Sequence, residues 1–198
     1  MSLRTFAGQA LSEFQTTAAI APSSRYLVRG MLAPLSVSHV RTVVELGPGT
    51  GPMTQALLDV LSPQARLFAF EVNRRFYRHL KENFKDPRLV PVLAGAETLD
   101  SELQRRGCHR VDFVVSSLGL TLMSREQRHA IFHALVPFLH EKSVVTQFQY
   151  LHMRLPLVNR KRNGRYDVEH LLRRYFRTVH RKCIWRNLPP ACIYTCRR

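Results

Sequence analysis

The chain has 198 residues, enough for one domain with an appendage and too few for two catalytic units. Its 45% hydrophobic and 22% charged residues can bury a real core, which excludes wholesale disorder. Thirty Lys and Arg against 14 Asp and Glu give +16, pointing to a polyanionic partner, nucleic acid or an anionic membrane; 13 of the basic residues and two of the acids fall in 154–198.

No apolar run reaches the ~18 residues that span a bilayer, and Glu13 interrupts the stretch a signal peptide would need, so a cytoplasmic location is expected. Cys108, Cys183, Cys192 and Cys196 lack CxxC spacing and are expected to be reduced, mostly buried small hydrophobes. The nine histidines show no ligand spacing, so no metal is expected.

Leu3, Phe6, Ala7, Ala10, Leu11, Phe14 and Ala18 predict an amphipathic helix over 3–19. Ala21-Pro22-Ser23-Ser24 ends it and caps a second helix over 25–32. Strands follow at 42–46, 66–71, 90–93, 111–116 and 143–149. Helices are predicted at 53–61, 74–83 and 124–138. This alternation predicts an open, mostly parallel α/β sheet covered on both faces. Residues 151–166 are basic, with Pro156 and Gly164, and are expected to be irregular. Asp167 should cap a helix running to about 179, and 182–186 with 191–195 should form an antiparallel edge hairpin.

Glu45-Leu46-Gly47-Pro48-Gly49-Thr50-Gly51 leaves a predicted strand and opens a helix. Glycines here allow a tight turn and close approach of a ligand to the backbone. The next strand ends in Phe70-Glu71, where a carboxylate can accept both hydroxyls of a ribose, so a nucleoside cofactor is expected. The GxGxG spacing differs from the GxGxxG of nicotinamide dinucleotide sites. With an acid two residues before the first glycine, it resembles motif I of class I S-adenosylmethionine-dependent methyltransferases. That resemblance implies a Rossmann-like, mostly parallel seven-stranded sheet with an antiparallel C-terminal hairpin. It also implies that Glu45 holds the cofactor's amino-acid end, that Gly47, Pro48, Gly49 and Gly51 line it, that Glu71 binds the ribose, and that Val72 also contacts the cofactor.

The third strand is followed by Ala94-Gly95-Ala96-Glu97, where the family commonly carries an Asp that reaches adenine. Gly95 stands in that position, so adenine recognition falls to the backbone near Ala96 or to Glu97. The fourth strand ends Ser116-Ser117-Leu118-Gly119, without the prolines and ring that resemble adenine methylases at this point, which disfavours a flipped base.

Ala21-Pro22-Ser23-Ser24-Arg25, the glycine loop, Ser116-Ser117-Leu118 and Trp185-Arg186-Asn187-Leu188-Pro189-Pro190-Ala191 together resemble the bacterial phospholipid N-methyltransferases, which convert phosphatidylethanolamine to phosphatidylcholine. The resemblance implies S-adenosylmethionine as methyl donor and S-adenosylhomocysteine as product, with Ser24 and Ser116 also near the cofactor. Arg25, Tyr26, Ser117 and Leu118 are expected to bind substrate, and Tyr26 and Ser116 to orient the amine and pass on its proton. Residues 1–36 are expected to dock on the membrane or lid the cofactor, ahead of a methyltransferase domain over 37–198. The expected partner is an anionic membrane at the inner face of the cell, with no stable nucleic acid partner. Competing readings are an RNA methyltransferase, such as the rRNA adenine dimethyltransferase type, a protein methyltransferase, and a non-catalytic membrane or nucleic-acid binding module.

Overall fold

β-branched and aromatic runs that are buried on both faces form the centre of the sheet. The computed structural model describes residues 24–151 and 167–198. The predicted helix over 3–19 and the basic residues 152–166 lie outside the described residues.

The elements are α1 (Arg25–Leu32), β1 (Thr42–Leu46), α2 (Pro52–Val60), β2 (Arg66–Phe70), α3 (Arg74–Asn83), β3 (Leu89–Val92) and α4 (Leu99–Arg105). They continue with β4 (Val111–Ser116), α5 (Arg125–Leu135), β5 (Leu139–Tyr150), α6 (Val168–Leu172), β6 (Thr178–Ile184) and β7 (Ala191–Arg197). The seven strands lie in the order β3-β2-β1-β4-β5-β7-β6, the first five parallel and β7 antiparallel to both of its neighbours. This is the Rossmann-like class I methyltransferase fold expected from the sequence.

Alternation along the strands divides the core in two. Val43, Leu67, Phe113 and Val115 pack with Leu27 and Met31 of α1 and Met53 and Leu57 of α2. Val44, Phe68, Val114 and Val145 pack on the opposite face with Leu99, Leu103, Ile131, Phe132 and Leu172. Local signals agree with these elements: Ser24, Asn73 and Ser124 each cap a helix through a side-chain oxygen, and Ser124 with Gln127 completes a capping box.

Three expectations are corrected. The helix predicted to run to 179 stops at Leu172, where Arg174 and Tyr175 donate to carbonyls three residues back and tighten the turn. The β-branched Thr178 and Val179 then open β6. The antiparallel hairpin forms at the sheet edge as expected, but each of its strands has seven residues where five are predicted. Cys183 and Cys192 are not reduced: their register places them directly opposite across β6 and β7, Cα atoms 4.1 Å apart, joined as a disulfide. Cys108 and Cys196 are free and buried, as expected. Helix α4 has no counterpart in the sequence reading.

Candidate functional site

Strand order reverses direction of growth between β1 and β4, and such a switch point opens a crevice at the carboxyl ends of the strands. Leu46 leads there into the glycine loop, Phe70 into Glu71, Val92 into Leu93 and Ser116 into Ser117. Gly47 N donates to Phe70 O (3.0 Å) and Ser117 N to Leu46 O (2.9 Å), joining three of these ends.

The three loop glycines differ in what confines them. All have positive φ, at +75°, +58° and +89° for Gly47, Gly49 and Gly51, where other residues pay for the left-handed conformation. A Cβ on Gly51 would strike the Phe84 ring, so this glycine lets α2 start close to α3. A Cβ on Gly49 would meet nothing within 4 Å. That open cradle beside the backbone is the space a ligand would fill.

Glu71 closes the loop from the side: Oε2 accepts from Gly49 N (3.1 Å) and Oε1 from Asn73 N (2.8 Å). Burial pushes its pKa up, while the amides of Asn73, Gly49 and Val72 pull it back. A carboxylate has about four lone-pair sites, so Glu71 can still accept from a diol. The apolar side chains of Val72 and Leu93 stand exposed at the ends of β2 and β3. Val72 was anticipated; Leu93 was not, because only the parallel register shows that it ends the strand beside Glu71.

Glu45 is fully buried. Its Oε2 accepts from Thr54 Oγ1 (2.7 Å) and its Oε1 has no hydrogen-bond partner. Burial raises its pKa to about 8, against the lowering effect of Thr54 and with help from the Glu71 charge. An orphaned carboxylate oxygen in β1 fits a cationic amino group of a ligand, directly or through water. The raised pKa has a testable consequence. A folded-state value above the usual one gives stability that is complete below pH 4.5 and lost as pH rises through 8. Thermal melts of the free protein should therefore fall more between pH 6 and 9 for the wild type than for Glu45→Gln, which stays neutral. Equal slopes would show that Glu45 is ionised throughout.

Gly95 precedes the turn Ala96–Thr98, and the Glu97 carboxylate folds back over Gly95, so this pair can border an adenine only at the rim. Ser116 is buried and its Oγ accepts weakly from Leu118 N (3.4 Å). Ser117 and Leu118 adjoin the glycine loop: a Cβ on Gly47 would lie 3.4 Å from Leu118 Cδ2 and 3.8 Å from the Ser117 carbonyl carbon. They open a shallow cleft lined also by Thr121, Gln149, Tyr150 and Val168. Gln149, 8% exposed, carries a buried Nε2 with no hydrogen-bond partner among the described residues. Sequence reasoning missed Gln149 because an amide in a strand gives no motif.

Ser24, Arg25 and Tyr26 form a separate group. Ser24 Oγ donates to Asn187 Oδ1 (2.6 Å), and Asn187 Nδ2 donates to Pro189 O (2.6 Å). This bond joins the serine motif to the C-terminal Asn-Leu-Pro-Pro motif across 163 residues. The Tyr26 hydroxyl accepts from Arg25 Nη2 (3.2 Å), and the guanidinium carbons of Arg25 and Arg186 lie 5.1 and 5.7 Å from its ring centroid. Tyr26 and Ser116 thus belong to different clusters. Among the described residues no cluster of His, Cys, Asp and Glu could hold a metal ion.

The chain is 32% identical to the ornithine lipid N-methyltransferase of Singulisphaera acidiphila, over 97% of this chain and 94% of that protein. Among solved structures it is similar to the 1,6-didemethyltoxoflavin-N1-methyltransferase of Burkholderia thailandensis, with TM-score 0.66, 15% identity, and coverage of 99% of this chain and 87% of that one. It is also similar to the precorrin-6y C5,15-methyltransferase of Geobacter metallireducens, with TM-score 0.63, 16% identity, and coverage of 87% and 88%. These low identities establish the fold alone. No family model matches. Because the first similarity spans nearly the whole of both chains, this chain belongs to the family of the ornithine lipid N-methyltransferase and is a class I S-adenosylmethionine-dependent methyltransferase.

Proposed function

We propose that the protein transfers methyl groups to the amine of phosphatidylethanolamine and of its methylated intermediates, at the inner face of the cell membrane. The observation that carries the reading is the 32% identity to a lipid N-methyltransferase over 97% of the chain. The phosphatidylethanolamine motifs at 21–25 and 185–191 support the choice of headgroup, and Ser24 bonds to Asn187 between them. The relative's name favours a second acceptor of the same chemistry, the amine of an ornithine lipid. No described helix is long and apolar enough to cross a membrane, and the net charge of +16 suits an anionic surface.

When bound, the cofactor supplies an electrophilic methyl on a sulfonium. The residues that would hold it are the Gly47–Gly51 loop, Glu71 at the ribose, Val72 and Leu93 against the base, and Glu45 at the amino-acid end. The acceptor nitrogen attacks only when neutral, so its ammonium proton must first leave to water. Ser117 and Leu118 border this acceptor position just beyond β4, with Ser116 buried behind them at the strand's end, and Gln149 Nε2 offers a donor to a headgroup oxygen. Much of the rate can then come from alignment in a water-poor cleft. Tyr26, held on α1 between Arg25 and Arg186, orients the approaching headgroup. Tyr26→Phe should lower kcat about tenfold or more while S-adenosylhomocysteine affinity stays constant; unchanged turnover removes Tyr26 from the mechanism.

The test is uptake of label from methyl-labelled S-adenosylmethionine into vesicles of phosphatidylethanolamine, vesicles of ornithine lipid, RNA and bulk protein. Label in the phosphatidylethanolamine fraction is the expected result. Label only in ornithine lipid changes the headgroup, and label only in RNA or protein overturns the lipid reading.

A further inference from the structure

We propose that the turn at 185–190, between β6 and β7, is the surface that docks on an anionic lipid bilayer. Trp185 and Leu188 enter the interfacial layer, and Arg25, Arg29 and Arg186 pair with lipid phosphates. The proposal rests on the lipid-methylating reading and names the part of the molecule that would meet the membrane.

Topology puts this turn at the working edge of the sheet. β5 runs parallel to β4 and reaches that edge at Tyr150, whose partner in β7 is Ala191 and, one strand further, Ile184. The turn between Ile184 and Ala191 therefore projects from the same edge as the glycine loop and the Ser117 cleft. Leu151 N donates to Pro190 O (2.8 Å), which ties the turn to the end of β5.

Its side chains are unusual for a water-facing turn. Trp185 is 72% and Leu188 81% exposed, the two most exposed large apolar residues of the described structure. An indole ring prefers the layer between headgroups and acyl chains. The turn is also held in place: Asn187 is buried between these two residues, accepting from Ser24 and donating to Pro189 O. Trp185 and Leu188 are thus presented on a fixed support.

The surrounding charge has one sign. Residues 24–32 and 184–191 contain no Asp or Glu, and Arg25, Arg29 and Arg186 are exposed. Arg25 and Arg186 meet over the Tyr26 ring, making the start of α1 and the turn one cationic patch. Apolar side chains within a set of guanidiniums match a surface that is anionic at the top and apolar beneath. RNA supplies only the charge, so it would leave Trp185 and Leu188 unused.

Trp185 is the chain's single tryptophan, so intrinsic fluorescence reads this turn alone. The full chain should show a shift of emission to shorter wavelength with phosphatidylglycerol/phosphatidylcholine vesicles. Brominated acyl chains should quench it, and pure phosphatidylcholine or high salt should weaken the response. Leu188→Asp, at an exposed site that leaves the fold intact, should weaken vesicle affinity about tenfold without lowering the melting temperature. Unshifted emission overturns the proposal, whether the protein sediments with vesicles through another segment or does not bind them. A response to RNA but not to vesicles overturns it in favour of a nucleic acid. Methyl transfer to phosphatidylethanolamine in detergent micelles separates the two readings: transfer with unshifted emission leaves the function and removes only this docking surface.

Discussion

Glu71→Ala should lose the thermal stabilisation that S-adenosylhomocysteine gives the wild type. Glu71 sits at the end of β2 with its carboxylate held beside the glycine loop by backbone amides, Gly49 N on Oε2 and Asn73 N on Oε1, and still has lone-pair capacity for a diol. Hydrogen bonds to a charged group contribute about 1.5–3 kcal/mol each, so losing two ribose contacts should weaken binding by roughly 10²- to 10⁴-fold. Ligand at 100 times Kd stabilises a protein by about 2.7 kcal/mol, and at that concentration the variant would gain almost nothing. The free variant should melt somewhat lower as well, because Gly49 N and Asn73 N lose their acceptors. The informative quantity is therefore the ligand-induced shift, not the melting temperature itself. Glu71→Gln, which keeps one acceptor but turns an amide on Gly49 N, should fall between the two. A Glu71→Ala shift equal to the wild type would mean that this carboxylate does not touch the ligand.

Gly51→Ala should damage the fold rather than the binding chemistry. Its φ of +89° costs an L-residue about 1–2 kcal/mol, and the added Cβ would lie 2.5 and 2.8 Å from Phe84 ring carbons and 3.4 Å from Leu80 Cδ2. Leu80 is fully buried and the partly buried Phe84 packs against the same cluster, so the methyl must displace the Phe84 ring, and such overpacking adds about 1–3 kcal/mol. The expected loss, read by thermal or denaturant unfolding, is roughly 5–15 °C for a chain of this size. Gly49→Ala carries only the backbone cost, since nothing lies within 4 Å of its Cβ. It should melt within a few degrees of wild type while binding S-adenosylhomocysteine more weakly, because the methyl enters the open cradle. If Gly51→Ala melts with the wild type, the close approach of α2 to α3 has been misjudged.

The contrast between these glycines shows what sequence can carry. Spacing and the preceding strand were enough to identify the loop, and the β-branched runs of β1 and β4 were read to their observed ends because a strand buried on both faces leaves a continuous apolar signature. Ser24 and Ser124 mark helix starts through their side-chain chemistry, whereas the Asn73 cap emerges only from the structure. Which glycine faces a ligand and which faces Phe84 depends on packing across elements, and no local pattern encodes it. Helix α4 escaped notice because it has seven residues and buries only Leu99 and Leu103. Val179 was read as helical because Leu171, Leu172 and Phe176 keep a helical spacing, although its partner is Cys196 in β7. The same missing register hid the pairing of Cys183 with Cys192. Ser24 and Asn187 were each noted in a motif, but their hydrogen bond spans 163 residues and only the folded chain reveals it.

The central claim, that the edge formed by Gly47–Gly51 and Glu71 holds S-adenosylmethionine, is tested most directly by calorimetric titration of the protein with S-adenosylhomocysteine and, separately, with nicotinamide dinucleotide. One molecule of S-adenosylhomocysteine bound per chain, with no heat from the dinucleotide, is the predicted result. Binding of the dinucleotide alone, or of neither compound, would contradict the account.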